Sequence, residues 1–432
     1  MRFLLSGLAG ILALSAFGQT TAPMRLTLAE AGAMALKNHP QVLGAQNEIF
    51  ARNQQVIEAK SAYYPAVNGD LTGSAANYGG RIGAGFLTDS RLFDRFGDGI
   101  VINQLISDFG RTANLVAQSR LQASASEQDY QAARYSVLLH VSQAYFNALR
   151  AQALVNLAQK TVEARQTQAN QVGELARNNL RSQLDVSFAD VTVSQAKLLL
   201  IRSQNAVQAA FADLTRSLGA QQAATYELAE EATPPSPGAN VEDLVRQAMG
   251  NRPELTSIRL SREAAYKFEE AERDLKRPNA TFAGVAGYMP YIDQITPPHL
   301  IPKEYAGAAI NLQIPIFNGH LYTSRREEAH YHALEADQHV RDLEDSIARD
   351  VRTAWSDAQT AYQAKTVTAE YLREASLALE LATSRFQLQL SDIVALTQSQ
   401  LNQTEAQIED LNAKYDYQSL YAALEYAIGA LR

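Results

Sequence analysis

Four histidines, His320, His330, His332 and His339, crowd one short stretch of the chain, and imidazole is a common ligand of transition metals. Their spacing argues against a shared ion. His330 and His332 are two residues apart and point to different faces of a helix, and no cysteine or acidic ligand pattern joins them. A solvated helix surface is the expectation, with no metal site. The glycine-rich GGRIGAG (79–85) would cradle a phosphate if Gly-Lys-Ser/Thr followed, and it does not. It reads as a flexible loop between strands, with IDQITPPHLIPK (292–303) as its partner. The chain has no cysteine, so disulfides, thiolate metal sites and cysteine nucleophiles are excluded. No H-E-x-x-H or G-x-S-x-G motif occurs. The residues offer no catalytic constellation and no cofactor site, and the chain reads as a non-enzyme.

With chemistry set aside, the elements become the subject. The 432 residues carry a net charge of −8, which argues against nucleic acid as a partner, since phosphate binding needs a cationic face. The N-terminus MRFLLSGLAGILALSAFGQ has one basic residue, an apolar run from Phe3 to Ala16, and the small-x-small site Ala16-Phe17-Gly18. This pattern predicts a secretory signal peptide over 1–18. No cysteine follows it to carry a lipid anchor. No later segment approaches the run of about 18 apolar residues that a helical span needs. If the mature chain crosses a membrane, it must do so as a β-barrel.

The pentapeptide NHPQV (38–42) returns as NRPEL (251–255). Displacing the chain by 213 residues also lays Ala35 on Ala248, Leu28 on Val241 and Pro65 on Pro278. At slightly smaller displacements INQLISDFGR (102–111) resembles INLQIPIFNGH (310–320), with Asn103 on Asn311 and Phe109 on Phe317. VSQAYFNA (141–148) and SLG (217–219) match VRTAWSDA (351–358) and AIG (427–429). Anchors in constant order mark a tandem duplication: a first repeat over 19–229, a Pro-rich linker EEATPPSPGAN at 230–240, and a second repeat over 241–432.

All thirteen prolines lie in 23–65, 234–302 or at 315. The spans 110–219 and 320–429 are proline-free between their terminal glycines and rich in Ala, Gln, Leu, Glu and Arg, which favour helix. Apolar residues recur at three- and four-residue steps, as at Leu138, Val141, Tyr145 and Ala148. At 1.5 Å per residue each span would make a rod of roughly 160 Å, or one hairpin of roughly 80 Å turning near 177–185 and 386–393. Their alanine content suits close packing in a tube or bundle. Between helices the period changes to two. AVNGDLTGSAANY (66–78) and EYAGAAINLQIPIF (304–317) alternate apolar or small residues with polar ones, and 99–109 and 279–291 read as weaker strands. Ten residues can cross a tilted bilayer, and Tyr63, Tyr64, Tyr288, Tyr291 and Tyr305 lie near strand ends, where aromatic girdles belong. Four strands cannot close a barrel, and open edges in lipid leave backbone groups unpaired. Strands of this kind in a membrane require several chains to share one barrel.

The signal peptide, the two homologous halves, N-x-P after a short helix, strands ending in F-G or F-N-G, and long proline-free hairpins together resemble the TolC-like outer membrane factors over essentially all of the mature chain. The resemblance implies an α+β membrane protein: a homotrimer with a shared 12-stranded transmembrane β-barrel, four strands per chain, and a long periplasmic α-barrel. Short helices at about 27–60 and 241–275 would pack along the tube, and segments 220–240 and the chain end near 430 would lie at its equator. It implies an exit duct in the outer membrane of a Gram-negative-type cell, serving a tripartite efflux pump or type I secretion system with a periplasmic adaptor and an inner-membrane transporter. The alternative is a periplasmic coiled-coil adaptor or structural protein, which leaves the matched strands unexplained.

By the same resemblance two hairpin tips carry function. LRSQLDVSFA (180–189) corresponds to the adaptor-facing turn, with Leu180, Arg181, Ser182 and Leu184 as contacts and Asp185 as a gate tie. LQLSDIVAL (388–396) is its counterpart, with Leu390 and Ser391 as contacts and Phe386 as an aromatic gate partner. Positions that are acidic in some members fall on Ala395 and Gln398 here, and Asp392 stands three residues before Ala395. Closure by uncharged contacts is therefore expected. Independently of the family, Asp185 and Asp392 read as helix N-caps after the turns.

Overall fold

The computed structural model describes residues 24–75, 81–82, 90–91, 95–220, 226–292 and 302–431. The expected signal peptide, most of both expected loops, and 76–78 of the first expected strand lie outside them. None of the described helices is long and apolar enough to cross a membrane.

Among the described residues eight α-helices come in consecutive pairs: α1 (Leu28–Asn38), α2 (Pro40–Ser61), α3 (Arg111–Arg177), α4 (Gln183–Ser217), α5 (Val241–Asn251), α6 (Pro253–Arg273), α7 (Leu321–Gln387) and α8 (Ile393–Ala427). The repeated Asn-x-Pro is a break, and two continuous helices at 27–60 and 241–275 are not formed. Proline disfavours helical backbone in the residue before it, and His39 and Arg252 are extended, with ψ of 127° and 116°. Proline then opens the next helix, where its missing N–H costs nothing.

The hairpins are also unequal, not folded at their midpoints. α3 and α7 have 67 residues each and α4 and α8 have 35, so the long members reach about 100 Å. α2 and α6 complete the shorter sides. Gly219 (φ 68°) ends α4 against the α1–α2 break: a Cβ there would lie 2.8 Å from the His39 backbone. Gly429 (φ 69°) likewise ends α8 against Asn251, at 2.9 Å. Only glycine gives both a left-handed backbone and this approach. α4 is therefore continued by α2 along α3, and α8 by α6 along α7.

At mid-length the linker clasps the shaft. Strands β1 (Met24–Leu26) and β6 (Tyr226–Leu228) form a parallel pair that the sequence reading did not include. The buried Tyr145 hydroxyl donates to the carbonyls of Leu26 and Ala229, each at 2.8 Å. Lys414 Nζ and the Tyr415 hydroxyl both reach Glu230, at 2.8 and 2.6 Å, Gln418 donates to the Glu231 carbonyl, and the Trp355 indole donates to that of Gly238. The largest core lies here, around Leu26, Val141, Tyr145, Leu214 and Leu218.

Above the shaft stands one antiparallel sheet of four strands, in the order β2 (Ala66–Ser74), β5 (Arg95–Ser107), β7 (Asn279–Ile292), β8 (Glu304–Gln313). A short pair, β3 (Arg81–Ile82) and β4 (Ser90–Arg91), lies between β2 and β5 in the chain. Pairing of Val67 with Ile102, Ile102 with Gly284, and Ala280 with Leu312 fixes the two faces. One carries Val67, Leu71, Ile100, Ile310 and Leu312, of which Leu71 and Ile310 are 72% and 74% exposed. The other carries Asn68, Asp70, Thr72, Asn103, Thr281, Asn311 and Gln313. Tyr305 belongs to the polar face, not to a girdle. Its ring lies over Gly99 and Gly287, where any Cβ would collide with its hydroxyl. Across β7, Asn279 pairs with Gln313 as Ala66 pairs with Asn103. Asn103 is thus structurally equivalent to Gln313, and the sequence match with Asn311 is two residues out.

Candidate functional site at the hairpin tips

The tips are built twice, on a 210-residue offset. In the first, Asn179 takes a left-handed φ of 58° and the Leu180 amide donates to the Leu175 carbonyl at 2.8 Å. In the second, Gln389 has φ 60° and the Leu390 amide donates to Arg385 at 2.8 Å. This six-to-one closure satisfies orphan carbonyls at a helix C-terminus, here without the glycine that usually permits it.

Each following helix is capped differently. Asp392 is the N-cap of α8, and its carboxylate accepts from the Ala395 amide at 2.9 Å. In the first tip the cap is Ser182, with Asp185 at the third helical position. The Asp185 carboxylate accepts from the Ser182 amide and hydroxyl, both at 2.9 Å, closing a reciprocal box. Asp185 is therefore a box partner and not the cap itself.

The structure does not bring Asp185 to Phe386. Arg181 stands there instead. Its guanidinium donates to the Phe386 carbonyl at 2.6 Å and lies 3.9 Å above the Phe386 ring centroid. A cation over an aromatic face gains about 0.5–2 kcal/mol, more as water is excluded. Phe386 is 2% exposed and joins Val172, Val193, Ile393 and Leu396 in the tip core, so it staples the two hairpins from inside. Leu180, Leu184, Leu388 and Leu390 are exposed around this core. Ser391 is half-buried, and Ala395 and Gln398 lie exposed on α8, where Gln398 donates to Asn402 at 2.8 Å.

Higher on the shaft, two further arginines of α3 reach α8. Arg150 pairs with Asp416 at 2.8 Å. Arg165, 8% exposed, donates to the Gln400 carbonyl at 2.8 Å and the Thr404 hydroxyl at 3.0 Å. Burial lowers its pKa to about 10. The sequence reading missed Arg165. The signal was available: Ala158, Thr161, Arg165, Ala169 and Val172 form one buried three-four stripe, and an arginine on such a stripe needs partners. Of the histidines, His330 meets Glu269 at 3.2 Å, while His332 and His339 flank Glu335 at 3.1 and 3.8 Å. Among the described residues, no group of three His, Asp or Glu side chains could hold a metal ion.

An open-edged sheet with one apolar and one polar face, mounted on helices about 100 Å long, has the form of the wall of a membrane-seated duct. Residues 32–220 and 244–430 each match the outer membrane efflux protein family, and the chain belongs to that family: it is an efflux conduit of the outer membrane. It is 23% identical over 359 residues to the outer membrane efflux protein BepC of Brucella suis biovar 1, covering 82% of this chain and 74% of BepC. It is 23% identical over 416 residues to the outer membrane protein TolC of Vibrio cholerae, covering 94% and 91%. In fold it is similar to CusC, with a TM-score of 0.80, 18% identity and coverage of 93% and 92%.

Proposed function

We propose that three copies of the chain form one exit duct, with twelve strands closing a barrel in the outer membrane and the α-hairpins enclosing a periplasmic tube. The observation that carries this reading is the sheet β2-β5-β7-β8: among the described residues both outer strands offer unpaired edges, while one face carries the exposed apolar side chains of Val67, Leu71, Ile100, Ile310 and Leu312. In lipid such edges cost several kcal/mol for each unsatisfied group, and identical neighbours remove them. The tips are the resting gate. Arg181 on Phe386 holds the two hairpins of a chain together, while the Ser182–Asp185 box and the Asp392 cap fix the helix starts beside it. A periplasmic adaptor touching the exposed Leu180, Ser182, Leu184 and Leu390 and the half-buried Arg181 and Ser391 would favour an outward set of helix positions and pass cargo from an inner-membrane transporter.

Planar-bilayer conductance tests the gate. Arg181→Ala removes both the hydrogen bond and the ring contact, and resting conductance rises several-fold. Arg181→Lys keeps the charge but loses the planar fork, and gives an intermediate rise. Asp185→Ala raises conductance less, since Asp185 holds its own helix start. Unchanged conductance in Arg181→Ala contradicts this placement of the gate.

A further inference from the structure

We infer that the cavity around Arg165, between the two hairpins of one chain, is a binding site for a single small monovalent anion of halide size.

A guanidinium carries five N–H donors. Both hydrogen bonds that Arg165 makes come from Nη2, to the Gln400 carbonyl and the Thr404 hydroxyl. Among the described residues its Nε and Nη1 groups find no acceptor and it forms no ion pair, although the residue is only 8% exposed. Burial lowers its pKa with no carboxylate to counter the shift, and at about 10 the group stays charged at neutral pH. A buried charge that lacks both a counter-charge and a full set of hydrogen bonds is costly. Helix packing does not demand this charge. α3 and α7 have 67 residues each, and the place of Arg165 in α3 is taken in α7 by Ala375, which is buried as well. The duplicated frame therefore accepts alanine at this depth, and the guanidinium is set only where α3 and α4 meet α8.

At that junction Arg165 lines a cavity of about 80 Å³. A single water needs about 10–15 Å³ of such space, so a halide fits with room for a water beside it, and a sugar acid does not. Gln400 is the second polar wall. It is 6% exposed, and its side-chain amide has no hydrogen-bond partner among the described residues. The hydroxyl hydrogens of Thr161 and Thr192 are already donated to the Leu157 and Ala189 carbonyls, each at 2.8 Å. Ala196, Leu199 and Leu401 add apolar wall. The donors left for a ligand are the Arg165 guanidinium and the Gln400 amide, a set that suits an ion which only accepts. One buried positive charge matches one negative charge, whereas a dianion would leave an unpaired charge of the opposite sign. Because α3 and α4 form one hairpin and α8 belongs to the other, an anion held here also joins the two.

Bromide is the probe. The full-length protein in mild detergent, with gluconate exchanged for bromide at constant ionic strength, melts at a higher temperature, since a ligand of the folded state alone stabilises it by mass action. Crystals grown in bromide show one anomalous peak per chain, beside Arg165 and Gln400. In Arg165→Met the bromide-dependent rise in the midpoint disappears. Gln400→Met keeps the backbone carbonyl that Arg165 uses, and with it the seating of the arginine, but raises the bromide concentration needed for half of the rise at least about tenfold, as the loss of one hydrogen bond to an ion requires. A midpoint that rises equally in the unsubstituted protein and Arg165→Met is a general salt effect and overturns the site. A cavity that holds only water in bromide-grown crystals, or an unshifted titration in Gln400→Met, overturns it as well. The shared barrel and the gate at Arg181 stand or fall separately.

Discussion

Arg165 and Arg181 show how single side chains hold the two hairpins together, at very different cost. Arg181 is half-exposed over Phe386 and loses little hydration. Arg165 is buried without a carboxylate among its hydrogen-bond partners. Hydrogen bonds to a charged group return about 1.5–3 kcal/mol each, against an effective desolvation penalty of several kcal/mol. Arg165→Met is accordingly expected to leave the thermal midpoint nearly unchanged or to raise it, whereas Arg165→Ala, which leaves a void, lowers it; calorimetry of the detergent-solubilised protein distinguishes them. The clasp residue Glu230 behaves in the opposite sense. Burial pushes its carboxyl up, but the Lys414 and Tyr415 hydrogen bonds and the Lys414 charge outweigh this and hold it below the usual carboxylate range. Its contribution is present above the ordinary carboxylate range and is lost as pH falls through the lowered value. Glu230→Gln therefore loses stability at neutral pH and shows a flatter acid limb in a pH series of melting curves. Of the tip residues, sequence placed the turns, the Asp392 cap and the exposed leucines. The Arg181–Phe386 contact was not legible, because it joins positions 205 apart through a backbone carbonyl, which side-chain identity does not report.

At the scale of elements, glycine and proline carry most of the design. Asn-x-Pro was visible as a repeat, but its meaning required the far ends of α4 and α8. Gly219 and Gly429 sit directly on the two breaks, and no local pattern says that helix ends so distant in sequence abut. Gly219→Val forces a side chain into the His39 backbone at a left-handed φ and uncouples α4 from α2, while Gly173→Ala, in open helix, stabilises by about 0.5–1 kcal/mol. Hydrogen exchange along α2 checks the contrast: protection falls in Gly219→Val and is retained in Gly173→Ala. The four strands were legible, two from strong alternation and two from weaker, but the expected strand 304–317 stops at Gln313, since Pro315 cannot donate to a ladder. The β1–β6 pair was not legible, since three-residue strands have no period to read. The turns were read at 177–185 and 386–393, where the structure has them; the hairpin length of roughly 80 Å was too short, because it came from halving each proline-free span.

For the whole molecule, duplication sets the architecture. Each half repeats helix, strand, strand and hairpin, and neither half nor one chain covers its own edges. The chain reads as one arc of a closed wall, with the clasp of β1, β6 and the linker holding the arc at mid-length. The polar face of the sheet then lines the passage and the apolar face meets lipid. The most direct measurement is the native mass of the folded protein extracted from outer membranes in mild detergent, before and after boiling. Three chains travelling as one particle, and separating only on boiling, is the predicted result; a folded single chain, or a mature protein recovered free in the periplasm, would contradict it.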